Sequence, residues 1–72
     1  MYSLKIQIGS KLKECRKERE LTQAQVASAI GISQQQYMRY ETGYYAPSYE
    51  NLIALCKFFN VSSDYILGLT EY

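Results

Sequence analysis

The feature of this sequence that most constrains its fold is a pair of short helical segments separated only by residues 31–33. Thr22 is a good N-cap for the first segment, and Gln25, three residues later, is its capping-box partner. Ser33 and Gln36 repeat this signature at the start of the second segment. Because the glycine of the turn readily takes the left-handed conformation that ends a helix, the pattern predicts a helix-turn-helix.

Turn signals and hydrophobic periodicity predict three further helices around this pair. The first is expected from about Ile8 to Arg19, the fourth starts at Pro47, and a short fifth starts at Val61. No segments pair convincingly as strands, so the predicted fold is all-α, a compact five-helix bundle with a central helix-turn-helix. The expected organisation is an N-terminal extension at 1–7, the helix-turn-helix domain at 8–69 and a C-terminal tail at 70–72.

The N-terminal extension, residues 1–7, fits two conformations. The alternation of apolar and polar residues from Tyr2 to Ile8 is typical of a strand, which would serve as an arm that pairs across a dimer. Leu4, Ile8 and Leu12 also fit an early start of the first helix. A flexible or helical extension and a strand arm therefore stay open as alternatives.

Composition places the chain among small globular domains. Its 72 residues are 47% hydrophobic and 21% charged, which predicts one folded domain close to the lower size limit for a hydrophobic core. The formal net charge is +1, so no strong bulk attraction to polyanions is expected. The basic residues are nevertheless concentrated at one end, because six of the eight lie in residues 1–19.

Several classes of protein are disfavoured by what the sequence lacks. It has no histidine and two well-separated cysteines, so no metal site and no cofactor are expected. Cys15 and Cys56 are expected to be buried free thiols of a cytoplasmic protein, with a disulfide as the alternative. No apolar run is long enough for a membrane span or a secretion signal, so no membrane partner is expected. No glycine-rich phosphate loop, paired-carboxylate signature or effector domain is evident, which argues against an enzyme and against a small-molecule effector.

The second helix of the pair has two faces when its residues are placed about 100° apart. Tyr37, Tyr40 and Glu41 fall on the inward side. The outward side is compact and polar, and it consists of Gln34, Gln35, Met38 and Arg39. Glutamine can make two hydrogen bonds to adenine in the major groove, arginine can bind guanine, and a methionine methyl can contact the thymine methyl. The outward residues are therefore predicted to read bases; solvated, helix-compatible side chains are the alternative.

The stretch LTQAQVASAIGISQQQYMRYETG resembles the helix-turn-helix of the Cro/C1-type (XRE) regulators, the group of lambdoid phage repressors and Cro proteins. The Thr-Gln opening, Ala27, Gly31, the Glu-Thr-Gly end and the later Pro-Ser occur at the spacing of that family. The resemblance covers about residues 8–69 and implies a lambda repressor-like DNA-binding domain.

The resemblance also implies roles for individual residues. An ion pair between Arg16 and Glu41 would tie the first helix to the third. Contacts to DNA phosphates are implied for residues at the two helix starts and in the loop after the third helix, namely Thr22, Gln23, Ser33, Gly43, Tyr44 and Tyr45. The chain departs from the family in two places, because that loop is commonly basic and because Glu20 stands where a glycine commonly ends the first helix.

The leading functional hypothesis is a sequence-specific regulator of transcription that binds double-stranded DNA. A repressor that binds a palindromic operator as a homodimer fits best, since one short helix reads only a few base pairs. The alternative is a helix-turn-helix module whose main partner is another protein, such as an antitoxin or anti-regulator. Salt dependence discriminates the two, because phosphate contacts make DNA binding fall steeply with ionic strength.

Overall fold

The computed structural model describes residues 3–70, and five α-helices make up the regular structure of that range. The helices are α1 Leu4–Glu18, α2 Gln23–Ile30, α3 Gln34–Thr42, α4 Tyr49–Phe59 and α5 Ser63–Ile66. No strand occurs between residues 3 and 70. The prediction of an all-α bundle around a central helix-turn-helix is confirmed.

The first helix begins four residues earlier than expected, at Leu4 instead of Ile8. Residues 4–7 are therefore helical, and the strand-arm alternative is wrong for this stretch. Ser3 occupies the N-cap position, but its side chain makes no capping hydrogen bond. Met1 and Tyr2 of the predicted extension, like residues 71 and 72 of the predicted tail, lie outside the described residues.

Each of the other four helices begins at a hydroxyl side chain that accepts a hydrogen bond from the backbone amide three residues later. These caps are Thr22, Ser33, Ser48 and Ser62. The predicted capping box of α2 is complete, because Gln25 Oε1 also accepts from the Thr22 amide at 2.8 Å. The reciprocal bond predicted for α3 is wrong: Gln36 Nε2 donates instead to the Tyr40 hydroxyl at 2.9 Å.

A residue with left-handed backbone geometry follows each of the five helices, including Gly68 with φ of 80° after α5. Gly31 and Gly43 both have φ of 78°, and Asn60 has φ of 58°, as expected of these positions. Glu20 has φ of 55° in the turn between α1 and α2. A side chain with a Cβ atom is strained there by roughly 1–2 kcal/mol, so the departure from glycine weakens this turn.

The core is built from every helix. The largest fully buried side chains are Tyr37, Phe59, Leu12, Leu55, Ile66, Val26 and Cys15. Cys15 and Cys56 are buried free thiols, and burial raises the pKa of both. Among the described residues, no helix is both long enough and apolar enough to span a membrane.

Helices α1 and α3 approach each other at backbone distance. A Cβ atom added to Gly9 would overlap the carbonyl oxygens of Tyr40 and Glu41, so only glycine fits this crossing without a shift. About two turns further along α1, Arg16 faces Glu41. The close crossing thus fixes α3 relative to the rest of the bundle.

Candidate nucleic-acid interface

The inner side of α3 is held by a paired charge. Arg16 Nε donates to Glu41 Oε2 at 2.6 Å and Arg16 Nη2 donates to Glu41 Oε1 at 3.0 Å, a two-pronged arrangement that fixes both side chains. Arg16 Nη1 also donates to the Leu21 carbonyl at 2.9 Å, just before α2. The geometry is that of the ion pair implied by the family resemblance, and it joins α1, the start of α2 and α3.

The carboxylate of this pair is almost completely enclosed, since 2% of the Glu41 side chain is exposed. Burial alone would raise the pKa of Glu41. Hydrogen bonds donated by Arg16 and Gln23, together with the positive charge of Arg16, outweigh burial and hold the pKa below its ordinary value. Glu41 is therefore ionised at neutral pH, and its charge stays paired.

Gln23, the first residue of α2, is the third member of this network. Its Nε2 donates to Glu41 Oε1 at 3.0 Å, and the residue is half-buried. That bond uses one of the two amide hydrogens and leaves the second hydrogen and Oε1 for other partners. A residue implied to contact phosphate is thus held in place from inside the domain.

The outer side of α3 borders an open groove of about 580 Å³ lined by Gln23, Gln34, Gln35 and Met38. Gln34 and Gln35 are exposed, and neither side chain makes a hydrogen bond to another part of residues 3–70. Three amide side chains and one thioether therefore share a single concave surface. This surface offers several donors and acceptors beside the start of a helix.

Arg39, the fourth residue predicted to read bases, lies one turn further along α3 and does not line this groove. Its guanidinium carbon is 5.3 Å from the ring centroid of Tyr44, within the range of a cation–π contact. The ring therefore restrains Arg39 at the far end of the helix. Tyr44 itself is 68% exposed, so its hydroxyl is accessible.

The two caps implied to contact phosphate are at exposed helix starts. Thr22 Oγ1 accepts from the Gln25 amide at 3.1 Å, and Ser33 Oγ accepts from the Gln36 amide at 3.0 Å. Each hydroxyl keeps its hydrogen for donation to an external oxygen. Free amides and the helix dipole make such helix starts favourable places for a negative group.

Gly43 and Tyr45 fit a structural role better than the phosphate role implied for them. The Gly43 amide donates to the Tyr40 carbonyl at 3.2 Å, and the residue is buried beneath Ile6. Tyr45 is half-buried, and its ring packs edge-on against Tyr40 with centroids 5.6 Å apart. Tyr44 therefore remains the loop residue that is predicted to contact phosphate.

The sequence did not predict a second polar network, which lies behind α3. Asn51 Nδ2 in α4 and Gln36 Nε2 in α3 both donate to the Tyr40 hydroxyl, at 2.8 Å and 2.9 Å. The four-residue spacing of Gln36 and Tyr40 was a usable signal, because such residues are neighbours on a helix. No sequence signal indicates the role of Asn51, because its contact with Tyr40 depends on how α4 packs on α3.

The architecture and the groove together define a helix-turn-helix domain with a polar, outward-facing third helix. The chain belongs to the Cro/C1-type helix-turn-helix family, whose profile, described as "Helix-turn-helix", matches residues 12–66.

Individual relatives agree with this membership. The HTH-type transcriptional regulator YqaE of Bacillus subtilis is 43% identical over 56 residues, which is 78% of this chain and 48% of that protein. The antitoxin PezA of Streptococcus pneumoniae is 41% identical over 61 residues, 85% of this chain and 39% of that protein. The chain thus spans about half the length, or less, of the curated relatives it matches.

A solved structure extends the comparison to three dimensions. The P22 c2 repressor protein, in complex with a synthetic operator, superposes with a TM-score of 0.79 at 30% sequence identity. The match covers 82% of this chain and 89% of that chain.

Proposed function

We propose that this chain binds double-stranded DNA sequence-specifically and regulates transcription in the cytoplasm. In this proposal α3 enters the major groove, where Gln34, Gln35, Met38 and Arg39 read base edges. The observation that carries the proposal is the groove that Gln34, Gln35 and Met38 share with the anchored Gln23. A helix fits the major groove, and its base edges carry the donor and acceptor pattern that amide side chains match.

The rigid support of α3 favours specific over adaptable binding. The Arg16–Glu41–Gln23 network and the Tyr40 hydroxyl network both hold the inward side of α3. A side chain reads a base only if its backbone is held in register, so these networks are what base reading requires. Repression of a palindromic operator by a homodimer follows as the finer proposal, with P22 c2 as the similar protein whose structure contains an operator.

Phosphate contacts in this proposal come mainly from neutral donors. Thr22, Gln23, Ser33 and Tyr44 have N–H or O–H groups, but none of them neutralises a phosphate. Affinity is therefore expected to fall less steeply with salt than for a family member with a basic loop, since each neutralised phosphate contributes about −0.9 to the log–log slope. Base contacts carry a larger share of the binding.

Selection of bound duplexes from random DNA tests the proposal, with the wild type compared with Gln34→Ala and Gln35→Ala. Each substitution is expected to relax preference at one base pair by about 1–3 kcal/mol. Gln25→Ala is the matched control, because this exposed glutamine caps α2 and lies outside the groove. Wild-type preference in both α3 variants would contradict base reading.

Two observations favour a second candidate function, a module that binds another protein. The chain is similar to the antitoxin PezA, and its loop offers exposed Tyr44 in place of cations. A protein partner held by aromatic contacts would keep its affinity when salt is raised, unlike DNA. The selection from random DNA separates the two functions, because a module whose partner is a protein is expected to enrich no duplex sequence.

A further inference from the structure

Arg39 carries the one positive charge among the four residues predicted to read bases. Within residues 3–70 its guanidinium forms no ion pair and donates no hydrogen bond. Its N–H groups therefore stay available for an external acceptor. A long side chain without any restraint would lose much rotational freedom on reaching a base edge. The Tyr44 ring, whose centroid lies 5.3 Å from the guanidinium carbon, supplies a restraint before any DNA binds.

The backbone at the end of α3 brings residues 39 and 44 together. The Tyr44 amide donates to the Arg39 carbonyl at 3.0 Å. The Gly43 amide donates to the Tyr40 carbonyl at 3.2 Å, and Gly43 is left-handed with φ of 78°. These bonds form a Schellman motif, in which the first and last side chains frequently meet in an apolar contact. Here the same two positions hold a cation and an aromatic ring.

The Tyr44 ring is itself held by a row of tyrosine rings that begins in the core. Its centroid lies 5.6 Å from that of Tyr45, with the two ring planes 75° apart. Tyr45 packs against Tyr40 in the same edge-on way, at 5.6 Å and 74°. Tyr40 is buried, and its hydroxyl accepts hydrogen bonds from Gln36 and Asn51. Edge-on pairs are a favourable geometry, so the row fixes the Tyr44 ring relative to α3.

We propose that Tyr44 is a positioning residue for base recognition, and that its ring holds the Arg39 guanidinium in place to bind a guanine. The inference rests on the proposed function, because it explains how one of the proposed base readers is oriented. Guanine O6 and N7 can accept paired hydrogen bonds from an arginine. Only the complex with guanine immobilises Arg39 in this way, so a restraint already present strengthens that complex and not the mismatched ones.

The ring and the hydroxyl of Tyr44 thus have different effects on binding. The ring contributes to sequence preference, whereas the hydroxyl contributes a phosphate contact that every sequence offers. Tyr44→Leu removes both groups, and Tyr44→Phe removes the hydroxyl alone. The two variants therefore separate a positioning role from a phosphate contact.

The test measures binding of the selected duplex and of its single base-pair variants. Arg39→Ala identifies the base pair that Arg39 reads, because preference is lost there. Tyr44→Leu is expected to lower the preference for guanine at this base pair about two- to fivefold, as for the loss of an exposed cation–π contact. Preference is expected to stay unchanged at the base pairs read by Gln34 and Gln35, which line the groove that Arg39 does not line.

Tyr44→Phe is expected to keep the guanine preference while it weakens binding of all duplexes by a similar factor. Tyr49→Leu is the matched control, because Tyr49 is 84% exposed and lies outside the row of rings. This control is expected to keep wild-type preference at every base pair. Melting followed by circular dichroism checks that the variants stay folded, as expected of substitutions at exposed residues.

Proton NMR of the free protein gives a readout that does not depend on DNA. The ring current at residue 44 is expected to shift the side-chain methylene protons of Arg39 in the wild type and in Tyr44→Phe. The shift is expected to disappear in Tyr44→Leu. A wild type without this shift would lack the contact, and the proposal would be overturned.

Three binding results would also overturn the proposal. They are full guanine preference in Tyr44→Leu, reduced guanine preference in Tyr44→Phe, and an equal loss of preference at every base pair in Tyr44→Leu. If Arg39→Ala changes no preference, or changes one for a base other than guanine, the positioning role fails while the glutamine contacts still support the proposed function. If the wild type enriches no duplex sequence, the proposed function fails and the positioning role fails with it.

Discussion

Replacing Arg16 by methionine removes the partner of a buried carboxylate. Glu41 keeps one hydrogen bond, from Gln23 Nε2 at 3.0 Å, while 2% of its side chain is exposed. Breaking a buried pair on one side typically destabilises a protein by about 3–5 kcal/mol. A domain of this size is stable by only about 4–11 kcal/mol in all, at roughly 0.05–0.15 kcal/mol per residue. Arg16→Met is therefore expected to lower the unfolding midpoint severely.

The pH dependence of that loss is a more specific expectation. In the wild type the pKa of Glu41 is depressed, so its stabilising effect is present above the unfolded value of 4.5 and is lost as pH falls below it. In Arg16→Met burial is no longer outweighed, and it is expected to raise the pKa of Glu41 above the unfolded value. Protonation then favours folding, so the deficit of the variant is expected to shrink on acidification.

Urea unfolding of both proteins near pH 7 and near pH 4 measures these effects, because the two pH values lie above and below the unfolded pKa of the Glu41 carboxyl. Lys17→Met is the matched control, because this exposed neighbour on α1 has no part in the network, and it is expected to stay within about 0.5 kcal/mol of the wild type. The double variant Arg16→Met/Glu41→Leu is expected to recover much of the loss, since it leaves no unpaired charge.

Two results would refute the reasoning. One is a loss below about 1 kcal/mol at neutral pH, which would place the pair among surface ion pairs. The other is a deficit that stays constant or grows as pH falls, because Glu41 would then not be the stranded charge.

Two further predictions concern the same domain. Tyr37→Phe is expected to raise the melting temperature, because the buried Tyr37 hydroxyl has no well-aligned hydrogen-bond partner within residues 3–70 and such a group costs about 1–3 kcal/mol. Burial and the Glu41 carboxylate also raise the pKa of Tyr37, so stability that depends on the neutral phenol is full below the ordinary value of 10.0 and declines above it; the variant should lack this alkaline decline. Glu20→Gly is expected to add up to about 1 kcal/mol by relieving the left-handed strain at φ 55°, seen as a rise of roughly 4–8 °C. A lower melting temperature in either variant would contradict its premise.

Local signals explain what the sequence predicted correctly. Thr22 and Ser33 cap helices through backbone amides three residues away, and Gly31 ends α2 in the left-handed conformation. Such interactions involve neighbours in the chain, so the residues that decide them are visible together in the sequence. The outward side of α3 followed from the same local geometry, because Tyr37 determines which side is inward.

Tertiary packing explains what the sequence did not predict. The Ser3 side chain makes no capping hydrogen bond, so the start of α1 at Leu4 depends on how this turn packs in the bundle. Gln36 bonds the Tyr40 hydroxyl instead of returning to the α3 cap, because that hydroxyl is fixed nearby by Asn51 of α4. Interactions between distant segments are set by the assembled bundle, and no pattern along the chain displays them.

Separation of the two sides of α3 has a consequence for how such domains diversify. The side chains of Gln34 and Gln35 make no hydrogen bonds within residues 3–70, whereas the Glu41 side chain is tied to two other helices. Under the proposed function, exchanging the outward pair is expected to alter which DNA is preferred while leaving the melting temperature nearly unchanged. A library varied at Gln34 and Gln35 is therefore expected to contain mostly folded proteins, and in the proposed function its members would prefer different DNA sequences.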